Sequence, residues 1–267
     1  MFAGHPYENR AEGTLETVGA FTRTQVADHL ATLRETSRLL VVVVGDVEPR
    51  HAIDTVGNAL GDLPRGSYAP HAVPDLPIAA AGTVAVTPDK LPTSYIEAAV
   101  PGPRWTDPDF AVARVAMAWL AQREFEEVRT KRNLSYAPDA GFSSSTAVPI
   151  AYLYVTAVDP RTTMAVMLAE ARRLRDVKMA EHDLQSTKAM LLTRTFLNGE
   201  APADQAALLA DAQLHGGDWR FVRTLTERVN AVTVDQVQAW AAGHLTHLHT
   251  VVIGDGAKLD RAALESF

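Results

Sequence analysis

Arg123-Glu-Phe-Glu-Glu-Val-Arg129-Thr-Lys-Arg-Asn133-Leu-Ser-Tyr136 is the stretch on which the reading of this chain turns. It has the composition of the charged last turns of a long helix, a one-residue break and the opening of a strand. Asn133 suits the break because asparagine tolerates a positive φ better than other non-glycine residues. Helix end and strand start are expected to project Arg129 and Tyr136 toward the same edge of a sheet. A cation with several donors beside a phenol can grip peptide carbonyls or steady an oxyanion. The same pair also has a structural use, since a cation in the last turn suits the helix dipole and tyrosine is at home in strands.

Working outward, the apolar periodicity of Phe110, Val112, Val115, Trp119 and Leu120 extends the helix back to Thr106-Asp107-Pro108, a cap followed by a first-turn proline. Before it, Thr83–Thr87 and Ser94–Val100 read as strands. After it, Leu134–Ser144 and Val148–Val158 read as a hairpin around a serine-rich turn. Helical patterns then cover about 160–176, 180–198, 202–215, 218–230 and 233–244. Leu184, Leu191, Leu192 and Phe196, and Leu208, Leu209 and Leu214, form stripes expected to face the core. Thr250–Ile253 is a final strand. Toward the N-terminus, Val26, Leu30 and Leu33 mark an amphipathic helix over about 23–36. Leu39–Val44 is an unbroken aliphatic run expected to be a strand buried on both faces, and Ala52–Leu60 is a second helix. Pro70, Pro74 and Pro77 punctuate an interdomain linker over 66–82. The pattern is α+β.

The bulk composition narrows the function. At 267 residues, 47% hydrophobic and 21% charged, the chain is an ordinary globular protein of one large or two small domains. A net charge of −7 without a basic run argues against nucleic acid. No apolar run reaches the length of a membrane span. The absence of cysteine excludes disulfides, thiol catalysis and cysteine-ligated zinc, and leaves the compartment open.

With these elements placed, Arg123, Phe125, Val128, Arg129, Lys131, Leu134 and Tyr136 match a known wording, R-L-F-x-x-[VL]-R-x-K-x-G-L-x-Y. The stretch resembles the second-half signature of the M16 zinc peptidases, the insulinase, pitrilysin and mitochondrial processing peptidase relatives. Glu124 stands where that signature has Leu, and Asn133 where it has Gly. Gly4-His5-Pro6-Tyr7 resembles a further element that M16 proteins carry inside their first domain. The resemblance implies a LuxS/MPP-like metallohydrolase fold, with antiparallel-rich sheet and helices on one face. It implies that Arg129 and Tyr136 bind substrate, Arg129 through a peptide carbonyl and Tyr136 through the backbone or an oxyanion. The expected partners are a peptide and either an upstream domain region or a second M16 subunit, and a homodimer is compatible. A periplasmic or secreted setting is favoured over a cytoplasmic one.

Two segments also repeat one another. Thr22-Arg-Thr-Gln25-Val26, a helix and Leu40–Val44-Gly45-Asp46 correspond to Thr233-Val-Asp-Gln236-Val237, a helix and Thr250–Ile253-Gly254-Asp255. A period of about 210 residues is the size of a domain rather than of a solenoid repeat. The expectation is a C-terminal remnant of a first M16-like domain at 1–65 and a complete second one at 83–267.

The metal motif of the family, His-x-x-Glu-His, does not occur. Glu181-His182 lacks the second histidine, and in His5…Glu8-Asn9 an asparagine takes its place. No catalytic or metal-binding residue is therefore assigned in this chain, and the resemblance places zinc in a preceding first-domain region. His244, His247 and His249 lie where helix gives way to strand and are read as solvated turn residues, and neither a phosphate loop nor a nucleophile elbow is present. Beside the peptidase portion, two alternatives stand: a non-catalytic M16 homologue acting as partner or scaffold, and an α+β interaction module.

Overall fold

The computed structural model describes residues 1–77, 79–143 and 146–267. They divide into two compact units. The smaller comprises Phe2–Pro74 with Gly199–Ala210; the larger comprises Met1, Asp75–Asn198 and Asp211–Phe267.

In the smaller unit, α1 (Leu15–Gly19), α2 (Arg23–Leu33) and α3 (Pro49–Leu60) are joined by turns. Helix α2 begins at a reciprocal capping box, with Gln25 N–H donating to Thr22 Oγ1 (3.2 Å) and Thr22 N–H to Gln25 Oε1 (2.9 Å). None of residues 2–74 is buried. The expected apolar stripe of α2 is open, with Val26 57% and Leu30 56% exposed. Leu39–Val44 was expected to be a buried strand; it is instead an unpaired segment, its Val43 53% exposed. A strand is held by the hydrogen bonds and side chains of its neighbours, and no described segment lies alongside this one.

The larger unit is built on a five-stranded sheet: β1 (Thr83–Pro88), β2 (Ser94–Pro101), β3 (Asp139–Ser143), β4 (Ile150–Ala157) and β5 (His249–Gly254), in the order β1-β5-β2-β4-β3. Only β1 and β5 run parallel. Alternation sets the two faces. Val84, Ile96, Ala98, Ala151, Leu153, Val155 and Val252 are buried, whereas Tyr95, Val251 and Ile253 are exposed on the other face.

The long helix is α4 (Phe110–Glu124), followed by α5 (Pro160–Asp176), α6 (Glu181–Asn198), α7 (Pro202–Gly216, its residues up to Ala210 in the smaller unit), α8 (Phe221–Ala231), α9 (Val234–His244) and α10 (Arg261–Glu265). Helix α4 packs on β3, α5, α6, α8 and α9, so it buries residues nearly all round. Leu184 of α6 is buried, but Phe196 and Leu214 are 66% and 65% exposed; the apolar stripes run past the end of the core.

The hairpin strand expected from Leu134 begins only at Asp139. Pro138 has no N–H to contribute to a ladder. In place of ladder bonds, Ser135 Oγ donates to Thr156 O (2.6 Å) and accepts from Ala137 N–H (3.4 Å). The serine-rich turn falls partly outside the described residues.

Candidate functional site

Helix α4 does not stop at Glu124 but widens into a π-helical turn, Phe125–Thr130. Lys131 N–H reaches back five residues to Glu126 O at 2.9 Å. Such turns are uncommon and concentrate at functional sites. Asn133 then takes φ +51°, closing the segment with its N–H on Arg129 O (3.0 Å) while Leu134 N–H bonds Val128 O (2.9 Å). The break thus falls on the residue best able to carry it.

The charges of the stretch sort themselves around two glutamates. Glu127, buried at 7% exposure, accepts from Arg123 Nη2 (2.6 Å), Lys131 Nζ (2.7 Å) and Arg132 Nη1 (2.5 Å). Hydrogen bonds from the Lys131 ammonium and the Arg132 guanidinium pull its carboxyl down to about 2. Arg123 also binds Glu126 (2.7 Å) and Glu170 (2.9 Å). Three cations are therefore committed to structure. Arg129 is the exception, with no carboxylate partner among the described residues. Its guanidinium carbon lies 4.1 Å from the ring centroid of Tyr136 and 4.9 Å from that of Phe125. It is held between two aromatic faces, a geometry that retains the cation and leaves its N–H donors available.

Arg129 and Tyr136 are thus brought into contact, although Tyr136 lies in the loop before β3 rather than on a strand. Tyr136 is 78% exposed. A cation and a phenol presented together to solvent can donate to the carbonyls of an extended peptide.

Several neighbouring groups escaped the sequence reading. A cavity of about 610 Å³ opens beside Phe125, lined by Arg114, Gln122, Asp139, Tyr152 and Arg194 among others. A cation at position 114 inside an otherwise apolar helical run was the available signal. Glu124, the last residue of α4, is fully buried, with neither carboxylate oxygen hydrogen-bonded to a described residue. Burial, with Asp139 and Glu170 nearby, raises its pKa well above the usual carboxylate range.

The histidines of the C-terminal cluster do not converge. His244 Nδ1 lies 2.9 Å from Trp240 O, with the two rings stacked, while His249 Nδ1 lies 2.8 Å from Thr83 Oγ1. Burial lowers the pKa of His249, and His247 has φ +54°. Among the described residues no group of three or more His, Cys, Asp or Glu could hold a metal ion.

The family model described as peptidase M16 inactive domain matches residues 20–191. This chain belongs to that family. The M16 inactive domain of Pseudomonas fluorescens superposes over 95% of this chain and 62% of its own, with a TM-score of 0.82 at 18% identity. Complex III of Candida albicans contains a chain that matches 99% of this one over 66% of its own length, with a TM-score of 0.78 at 19% identity. In sequence, human mitochondrial cytochrome b-c1 complex subunit 1 is 33% identical over 119 residues, 44% of this chain and 25% of that protein. An uncharacterized zinc protease of Mycobacterium leprae is 25% identical over 252 residues, 90% of this chain and 56% of that protein. The chain therefore spans between a quarter and somewhat more than half of these curated relatives.

Proposed function

We propose that this M16 chain is the peptide-gripping portion of a zinc metallopeptidase and that Arg129 and Tyr136 are its substrate-binding pair. The observation that carries this reading is the state of Arg129. Every other cation between 123 and 132 is tied to a glutamate, whereas Arg129 is stacked on Tyr136 and Phe125 with no hydrogen bond or ion pair from its guanidinium among the described residues. In this reading Arg129 donates to a substrate carbonyl and the Tyr136 hydroxyl bonds the adjoining backbone, fixing an extended peptide against the π-helical turn. In this reading cleavage uses a zinc centre formed by residues outside the given sequence, which carries no His-x-x-Glu-His.

A second reading is favoured by the similarity to a cytochrome b-c1 subunit and to a chain of complex III. Here the chain is a non-catalytic subunit of an assembly, and the pair is structural or binds a partner chain. Titration of the full chain into fluorescein-labelled unstructured peptides of mixed composition, read by anisotropy, separates the two. Saturable binding is expected, weakened about tenfold or more by Arg129→Gln, in line with about 1.5–3 kcal/mol for a hydrogen bond to a charged group. Tyr136→Phe retains the stack and loses the hydroxyl bond, for a smaller decrease. Binding unchanged in both variants would refute the assignment.

A further inference from the structure

We propose that the groove between α4, α6 and the outer edge of β3 takes an extended peptide segment bearing an acidic side chain, whose carboxylate is bound by Arg114 and Arg194. This deepens the peptide-gripping reading and rests on it. Three observations converge on the groove, all within the larger unit.

The first is unspent positive charge. Arg114 projects from the packed helix α4 with its guanidinium carbon 5.7 Å from the Phe110 ring centroid, and has no hydrogen bond or ion pair to any described residue. Its burial opposes the charge and lowers its pKa. Arg194, exposed on α6, likewise has no described carboxylate partner. Asp139 is the carboxylate among the lining residues, and it is engaged by the Tyr152 hydroxyl at 3.2 Å. A desolvated cation without a counter-charge is costly, and a bidentate carboxylate fits a guanidinium best. The groove is complementary to an acid.

The second observation is backbone. Pro138, Asp139, Ala140, Gly141 and Phe142 all line the groove. Successive side chains of a strand point to opposite faces, so consecutive lining residues mean that the strand's edge, not one face, borders the space. β3 ends the sheet, paired on one side with β4. No described backbone hydrogen bond occupies its other side. A free edge beside a groove is the geometry for adding an extended peptide as a further strand. The third is continuity: Phe125 lines the groove and also stacks on Arg129. The groove's volume of about 610 Å³ suits several side chains of such a peptide.

The test uses the full chain and three fluorescein-labelled, end-blocked peptides of β-favouring sequence that differ only in a central Glu, Gln or Lys. At low salt the Glu peptide should bind at least tenfold more tightly than the Gln peptide, with Lys weakest. Arg194→Gln and Arg114→Met should each cut the Glu preference several-fold while leaving Gln-peptide binding within about twofold. Arg194 is exposed, so its variant decides the matter even if Arg114→Met fails to fold. Equal binding of Glu and Gln peptides, or a preference that survives Arg194→Gln, would overturn this groove assignment and leave the Arg129–Tyr136 reading standing. Absence of binding by any peptide would overturn both. Inorganic phosphate at millimolar concentration serves as a separate arm. Arginine-dependent phosphate binding with no discrimination between peptides would replace the acidic peptide with a small anion.

Discussion

Replacing Glu124 by Leu should make the protein more stable, and increasingly so as the pH rises. Glu124 is fully buried at the end of α4, both carboxylate oxygens lack hydrogen bonds, and Asp139 and Glu170 add negative potential. The carboxyl is therefore held protonated above the usual range. Even neutral, an unsatisfied buried polar group costs about 1–3 kcal/mol, and Leu at this position avoids that cost at similar volume. The charge adds a pH dependence. Because the folded pKa is raised, the folded state keeps a proton that the unfolded chain gives up. Stability is undiminished below the unfolded pKa and falls by about 1.4 kcal/mol per pH unit from there to the folded pKa. Glu124→Gln keeps the polar burial without the titration, and so isolates this slope. Urea unfolding at pH 5, 6, 7 and 8, followed by tryptophan fluorescence, measures all three proteins; Trp119 lies buried in the same helix. The Leu variant should exceed the parent by about 1–3 kcal/mol at pH 5, with a gap that widens upward. A Gln-minus-parent difference that is flat from pH 5 to 8, or a Leu variant less stable than the parent at pH 8, would refute the reasoning.

Other consequences can be checked on the same scale. Glu127→Gln removes a carboxylate held at about 2 by Lys131 and Arg132. Its depressed pKa means the contribution is present above the ordinary carboxylate range and lost as pH falls toward 2, so thermal melts should show destabilisation at pH 7 that closes on acidification. Asn133→Val, forcing a β-branched residue to φ +51°, should cost about 1–2 kcal/mol in denaturant unfolding, whereas Asn133→Gly should be near neutral. Thr233→Ala breaks the capping box of α9 and should cost about 1 kcal/mol. Tyr136→Ala, at a position 78% exposed, should leave stability within about 0.5 kcal/mol while weakening peptide binding.

Elements stabilised by local chemistry were legible without coordinates. The Asn133 bend, the cores of β1, β2 and β5 and the spans of α5, α6 and α9 follow from turn propensity, alternation and helical period. That Arg129 and Tyr136 would lie side by side could be read in advance, because a short spacing across a helix end constrains where two side chains go; their substrate-binding role came only from the family resemblance. The cavity could not. Arg114, Asp139, Tyr152 and Arg194 come from two helices and two strands, and their convergence depends on how α4 and α6 pack around β3. Nor could the unburdened state of Arg129, which depends on Glu126, Glu127 and Glu170 taking its neighbours.

The two repeated segments show where the boundary falls. Thr22 with Gln25 and Thr233 with Gln236 build the same capping box, and Gly45 and Gly254 adopt nearly the same φ, +155° and +149°. Yet His249–Gly254 is a strand between β1 and β2, while Leu39–Val44 pairs with nothing described and stays exposed. Residue chemistry by itself determined caps, turns and helical faces, since those contacts close within a few residues. Only the tertiary structure decided which aliphatic run became sheet and which cations of the 123–132 stretch took glutamate partners among the described residues, because hydrogen bonds between strands and ion pairs between helices need partners that local sequence does not supply.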